Sequence, residues 1–143
     1  MVIKNKQVIS FLPYLAWVQA LVATLTSLYY SEIAGYAPCL LCWYQRILMY
    51  PLVIIIAVGI ILKDKKLPFY SLPLSIIGMG FAFFHILVEN NIISESNLPC
   101  RVGVSCSTKY VNYFGFITIP LLSFLAFAFI TACMVIFLRS NNK

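Results

Sequence analysis

The sequence predicts an all-α integral membrane protein, a four-helix bundle with both termini in the cytoplasm and two cysteine-bearing loops facing outward. Three observations carry this. Of 143 residues, 62% are apolar and 10% are charged, whereas a soluble globular domain carries about 25% charged residues. Ten Lys and Arg with four Asp and Glu cannot cover the surface of such a chain in water, so most of that surface must meet lipid. Four apolar runs, at about 8–29, 43–62, 69–88 and 115–138, each match a hydrocarbon core about 30 Å thick at about 1.5 Å of rise per residue. Finally, the segments between the runs alternate between basic and neutral.

The first run, Val8 to Tyr29, reads as a span rather than a secretory signal, because a signal core is about 7–15 residues and no small-x-small cleavage pattern follows. Gly35-Tyr36-Ala37-Pro38, ahead of Cys39, does not resemble a lipoprotein processing site. The other runs are Trp43 to Leu62, Phe69 to Val88 and Gly115 to Leu138, and all four must be helices to satisfy their backbones in lipid. Lys4 and Lys6 precede the first span, Lys63, Lys65 and Lys66 separate the second from the third, and Arg139 and Lys143 follow the fourth: seven of the ten cations. Arg46, Arg101 and Lys109 are offset by Glu32, Glu89 and Glu95 in the segments 30–46 and 89–114, which carry no net charge. The positive-inside rule then places both termini and the Lys63 to Lys66 turn in the cytoplasm and the neutral loops outside, as in a multi-pass plasma-membrane protein.

Pro13, Pro51, Pro73 and Pro120 fall within or near the ends of spans and read as kinks tolerated by neighbouring helices. Gly78 and Gly80 allow close approach to the third span, with helix packing the ordinary reason. The chain shows no repeat or low-complexity stretch and reads as a single domain over residues 1–143. With 15% aromatic residues and so little charge it is not a disordered chain, and without a basic arm or Gly-rich phosphate loop it offers nothing to nucleic acid or nucleotide. Function must therefore lie in the two outer loops and the helix ends beneath them.

Four of the five cysteines fall there: Cys39 and Cys42 in the first loop, Cys100 and Cys106 in the second. In an oxidising compartment such pairs read as disulfides, structural or redox-active. Cys133 lies about 18 residues into the fourth span, roughly 27 Å below the outer surface by helical rise, and reads as a packed, inert thiol. Cys39-Leu40-Leu41-Cys42 is a C-x-x-C at a helix entrance, where a small disulfide ring is labile and the helix dipole favours a thiolate. Cys42, directly before the second span, is expected to gain most from that dipole. A zinc site with four cysteine ligands uses the same C-x-x-C spacing and is a rival, as are purely structural disulfides, but thiolates exposed to an oxidising compartment hold a metal poorly and no metal is expected. Between Cys100 and Cys106 lie five residues including Gly103, a loop suited to presenting one sulfur outward and the other to the first pair.

Two ionisable residues lie at membrane depth. Arg46 is one helical turn below Cys42 on the same face, and either snorkels to the outer headgroups or serves a site. His85, the only histidine, lies at similar depth in the third span and could bond a neighbouring helix, with Glu89 at i+4 an available partner. Trp43, Tyr44, Tyr110 and Tyr113 fit an outer aromatic belt. A dithiol that gives up two electrons in a membrane has a lipid-soluble quinone within reach, and Cys42, Arg46 and His85 supply the thiolate, cation and donor that a quinone site requires.

Pro38-Cys39-Leu40-Leu41-Cys42-Trp43-Tyr44-Gln45-Arg46, the following Ile47-Leu48-Met49-Tyr50-Pro51-Leu52, the segment Phe114-Gly115-Phe116-Ile117-Thr118-Ile119-Pro120 and the second cysteine pair resemble the bacterial DsbB family of quinone-dependent disulfide-generating membrane proteins, and within it the short Gram-positive BdbC branch. The resemblance extends over nearly the whole chain. It implies that the C-x-x-C pair is reoxidised by quinone, menaquinone ahead of ubiquinone, with Cys42 contacting it and Arg46 in support. It also implies that Cys100 forms a mixed disulfide with a thioredoxin-like extracytoplasmic thiol oxidase and that Cys106 exchanges with Cys39. Long-loop members separate the second cysteines widely, whereas five residues intervene here, so the order of exchange is not carried over. The expected function is reoxidation of that partner at the expense of quinone, in support of disulfide formation in exported proteins. The alternatives are a related four-helix quinone reductase, whose C-x-x-C lies near the end of its bundle, and a small metal-binding or scaffolding membrane protein with structural cysteines.

Overall fold

The computed structural model describes residues 2–94, 104–107, 109 and 117–141. Four helices, α1 (Val2–Leu28), α2 (Leu40–Ile61), α3 (Leu67–Glu89) and α4 (Ile119–Asn141), each contain a stretch long and apolar enough to cross a membrane. Each packs on two neighbours in a closed ring, α1 on α2 and α4, α3 on α2 and α4. The protein is a four-helix membrane bundle. Its outward faces present Phe11, Ile47, Ile54, Phe69, Ile77 and Leu125, all exposed, as lipid-facing helices should.

Along α1, the buried Ala16 and Ala20 lie one turn apart, and small side chains there let the neighbouring backbones approach. Met49, Leu52 and Ile56 of α2, Leu67 and Ala82 of α3, and Phe127, Ile130 and Met134 of α4 complete one apolar core. Cys133 is buried in that core as a free thiol. At mid-bundle the hydroxyls of Ser75 and Thr131 lie 3.0 Å apart across α3 and α4, pairing polar groups where lipid offers no partner.

Pro13, Pro51 and Pro73 all lie inside helices, while Pro120 is the second residue of α4, where its missing N–H costs no helical bond. The two glycines of α3 differ. A Cβ on Gly78 would run into the ring of Phe127, whereas one on Gly80 would meet nothing within 4 Å, so only Gly78 marks a close helix approach. Gly78→Ala is expected to destabilise the bundle by about 1–3 kcal/mol through overpacking, with Gly78→Ala/Phe127→Leu recovering most of the loss. Gly80→Ala should be neutral or slightly stabilising, because a helical glycine carries an entropy penalty of about 0.5–1 kcal/mol relative to alanine. Thermal unfolding of the detergent-purified variants checks the order.

Helix boundaries shift what the loops can do. Helix α1 continues through a π-helical turn, Tyr29–Ile33, and stops where Gly35 takes φ +71°. Helix α2 starts at Leu40, earlier than the apolar run beginning at Trp43 indicates, because Cys39 caps it. Between α2 and α3, Lys63 adopts a left-handed conformation at φ 50°, and Asp64 accepts bonds from the Lys66 backbone N–H and the Tyr70 hydroxyl, both at 2.8 Å. The Lys66 N–H, reinforced by Tyr70, holds the Asp64 carboxyl below its ordinary range. Cys100, Arg101, Tyr110, Tyr113 and the start of the expected fourth span at Gly115 lie outside the described residues.

Candidate functional site

The C-terminal ends of α1 and α3 and the N-terminal ends of α2 and α4 meet at one end of the bundle, with Lys63 to Lys66 and Arg139 at the other. The site grows from the start of α2. Cys39 is the N-cap, extended at φ −73° and ψ 170°, and its Sγ accepts the Cys42 backbone N–H at 3.4 Å. Cys42 lies in the first helical turn. The sulfur at the positive end of the helix is thus that of Cys39, and the expectation that Cys42 gains most from the dipole is corrected by where the helix begins.

Cys39 and Cys42 are free thiols with their sulfurs 2.9 Å apart, and His85 Nε2 lies 3.7 Å from Cys39 Sγ. The hydrogen bond donated by the Cys42 thiol, opposed by burial and helped by His85, lowers the Cys39 pKa to about 4. Negative charge in the reduced pair is favoured on Cys39, whose sulfur accepts the Cys42 backbone N–H and lies beside His85 Nε2.

His85, only 3% exposed, is held from two sides. Gln45 donates through Nε2 to its Nδ1 at 3.0 Å, which leaves the ring proton on Nε2, directed at the Cys106 carbonyl at 3.1 Å. Glu89 is not its partner, contrary to the i+4 expectation; its buried carboxylate instead accepts the Thr118 hydroxyl at 2.8 Å, tying the end of α3 to the start of α4. Gln45 escaped the sequence reading, yet a signal was present. Leu41, Gln45, Met49, Leu52 and Ile56 form the buried stripe of α2, and a lone amide in such a stripe needs a partner across the bundle.

Arg46 does not reach outward to headgroups. Its Nε–H and Nη2–H donate to the side chain and backbone carbonyl of Ser27 at 2.9 and 2.8 Å, linking α2 to α1, while its guanidinium lies 5.8 Å from the Trp43 ring centroid. Both acceptors are neutral, so these bonds fix the group without cancelling its charge. Tyr44, expected only in an interfacial belt, stacks on Phe81 at 5.3 Å.

Beneath the thiols lies a cavity of about 250 Å³. Cys39, Cys42, Arg46 and His85 line it, together with apolar groups such as Val22 and Ala126. Tyr50 also lines it, and its buried hydroxyl has no hydrogen-bond partner among the described residues.

Cys106 packs with Cys39, Leu41 and Val88 in a buried cluster and is already in a disulfide, so it is not available as a thiolate in this structure. The four-thiolate zinc arrangement is accordingly not assembled. Of the six site residues expected, Cys39, Cys42, Arg46, His85 and Cys106 converge; Cys100 lies outside the described residues.

A bundle of four membrane-length helices that gathers a free dithiol, a disulfide cysteine and a buried histidine at one end defines a membrane thiol–disulfide protein. A family profile described as disulfide bond formation protein DsbB matches residues 10–137. The chain is 49% identical over 122 residues to disulfide bond formation protein C of Bacillus subtilis (strain 168), covering 85% of this chain and 88% of that one. It is 44% identical over 126 residues to a probable disulfide formation protein C of Halalkalibacterium halodurans, covering 88% and 92%. A probable disulfide formation protein of Oceanobacillus iheyensis is 45% identical over 130 residues, with 90% of each chain covered. No solved structure matches. The chain belongs to the DsbB family and is a membrane disulfide-generating protein.

Proposed function

We propose that the protein oxidises a thioredoxin-like extracytoplasmic thiol oxidase and passes the electrons to membrane quinone, with menaquinone placed ahead of ubiquinone on the likeness to the short Gram-positive branch. The observation that carries this reading is that the dithiol, the fixed cation Arg46 and the Tyr50 hydroxyl, unpartnered among the described residues, line one cavity within the bundle. Its residues fit a quinone head. Arg46 offers a donor near the thiols, His85 one that it shares with the Cys106 carbonyl, Tyr50 a further one, and Val22 and Ala126 offer apolar walls. When bound, quinone supplies a two-electron, two-proton acceptor.

Closing the Cys39–Cys42 disulfide from its thiolate–thiol form releases two electrons and the one proton of Cys42, so a quinone that takes up two electrons and two protons draws its second proton from solvent. Cys106 supports the link to the partner, because its carbonyl shares His85 with Cys39 and its residue packs against the same cluster. In this reading Cys100 meets the partner and Cys106 exchanges with Cys39. The basic residues at the opposite end support a cytoplasmic position for Lys63 to Lys66 and both termini, with the cysteines outside.

Purified protein in detergent, given a reduced thioredoxin-fold oxidase and a water-soluble quinone, is expected to consume one quinone for each partner disulfide formed, followed by quinone absorbance and thiol titration. Cys39→Ser should abolish both. Partner oxidation without quinone loss, or identical rates in Cys39→Ser, overturns the reading.

A further inference from the structure

We propose that the reduced site is also a metal site: Cys39 Sγ, Cys42 Sγ and His85 Nε2 take one thiophilic divalent cation of the zinc class, and the ion holds the dithiol closed to oxidation until it is removed. The three ligand atoms come from two helices and lie within 4.8 Å of one another. Their convergence is not an accident of the C-x-x-C alone, because His85 reaches the pair across the bundle and is held there by Gln45.

The geometry is close to what zinc requires. Bond lengths of about 2.3 Å to sulfur and 2.0–2.1 Å to nitrogen, in a tetrahedron, put two sulfurs about 3.8 Å apart and each sulfur about 3.6 Å from the nitrogen. Cys39 Sγ and His85 Nε2 stand at 3.7 Å; the sulfurs, at 2.9 Å, must part by somewhat under 1 Å, which a rotation of Cys42 about χ1 provides. Nε2 must then give up its proton and its bond to the Cys106 carbonyl, while Nδ1 acquires a proton. Gln45 can meet that change by turning its amide to accept through Oε1, the outer-shell bond that zinc-bound histidines regularly make. All three ligand residues line the cavity of about 250 Å³, which has room for a water as the fourth ligand. Two thiolates neutralise the dication, so binding releases the Cys42 proton, Cys39 being already ionised, and the loaded site carries no net charge at the edge of the membrane.

Binding itself rests on this constellation and not on the quinone reading; that the ion arrests turnover rests on the thiol–disulfide activity. The site exists only in the dithiol state, since a Cys39–Cys42 disulfide has no thiolate to offer.

Zinc titration of fully reduced, detergent-purified protein against a chromophoric chelator tests it, with cobalt as a spectroscopic probe. One ion per chain is expected, with a thiolate-to-cobalt charge-transfer band and tetrahedral visible absorption. Cys39→Ser and Cys42→Ser should each weaken zinc at least a hundredfold, His85→Ala at least tenfold, and Gln45→Leu about tenfold, in the range of outer-shell losses. Cys133→Ala and the Cys100→Ser/Cys106→Ser double variant should bind as the parent does. Loss of binding in that double variant would replace this site with a four-thiolate one. Undiminished zinc in Cys39→Ser, binding by the oxidised protein, or no binding by the reduced parent would each overturn the proposal. Thermal unfolding of each variant without metal separates lost ligands from lost fold. Turnover, measured before and after chelator, should fall with zinc and return on its removal; turnover unaffected by saturating zinc would overturn the arrest, whatever the titration shows.

Discussion

Arg46→Ala is expected to raise the apparent KM for quinone by tenfold or more while leaving exchange between the outer cysteines and the partner within about twofold. The guanidinium lines the cavity and donates only to neutral oxygens of Ser27, so its charge stays available in a poorly screened setting. Hydrogen bonds to charged groups contribute about 1.5–3 kcal/mol, and each 1.4 kcal/mol is about tenfold. Arg46→Lys keeps the charge but loses the two-pronged bond to α1, and should fall between parent and alanine variant. His85→Ala should act in the same direction more mildly, since a neutral imidazole offers one hydrogen bond and no full charge. Quinone reduction over a range of quinone concentrations, with partner exchange followed separately, makes the measurement. Unchanged quinone kinetics in Arg46→Ala would place the acceptor elsewhere.

In the reduced protein, Cys39 is expected to remain a thiolate down to about pH 4, against an ordinary value of 9.0. The Cys42 thiol is the largest cause, burial opposes it, and the His85 bond adds to it. Because the folded pKa is depressed, the gain to the reduced, folded state is complete above about pH 9 and is lost progressively as the pH falls toward 4. A stabilised dithiol makes its disulfide a stronger oxidant, so the Cys39–Cys42 bond should be most oxidising relative to an unperturbed pair above about pH 9, keep part of that advantage at neutral pH and lose it as the pH falls toward 4. Thiolate absorbance during an acid titration reads the ionisation. Cys42→Ala should raise the midpoint most, His85→Ala less, and Cys39→Ser should remove the low-pH transition. A transition that survived in Cys39→Ser and vanished in Cys42→Ser would return the thiolate to Cys42.

Much of the architecture was written in one dimension. Lipid leaves a backbone no partner but itself, so four apolar runs of spanning length dictate four helices. The C-x-x-C and its neighbours through Arg46 were likewise legible, because a cysteine pair at a helix start and an arginine one turn below are matters of spacing. The glycines were only half legible: composition could not tell Gly78, pressed against Phe127, from Gly80, which faces open space.

What the sequence alone determined, then, was the number of helices, the end of the bundle that holds the cysteines and which residue types could carry electrons. Only the tertiary structure decided which sulfur caps the helix and what His85 touches. Moving the helix start from Trp43 to Leu40 put Cys39, not Cys42, at the dipole, and hydrogen bonding across the bundle gave His85 to Gln45 and Cys106 and Glu89 to Thr118. Arg46 turned inward to Ser27 for a similar reason. Local spacing fixes which residues share a helical face, but a buried polar group takes the partner that a neighbouring helix brings within about 3 Å, and that choice depends on how helices far apart in sequence rotate against one another.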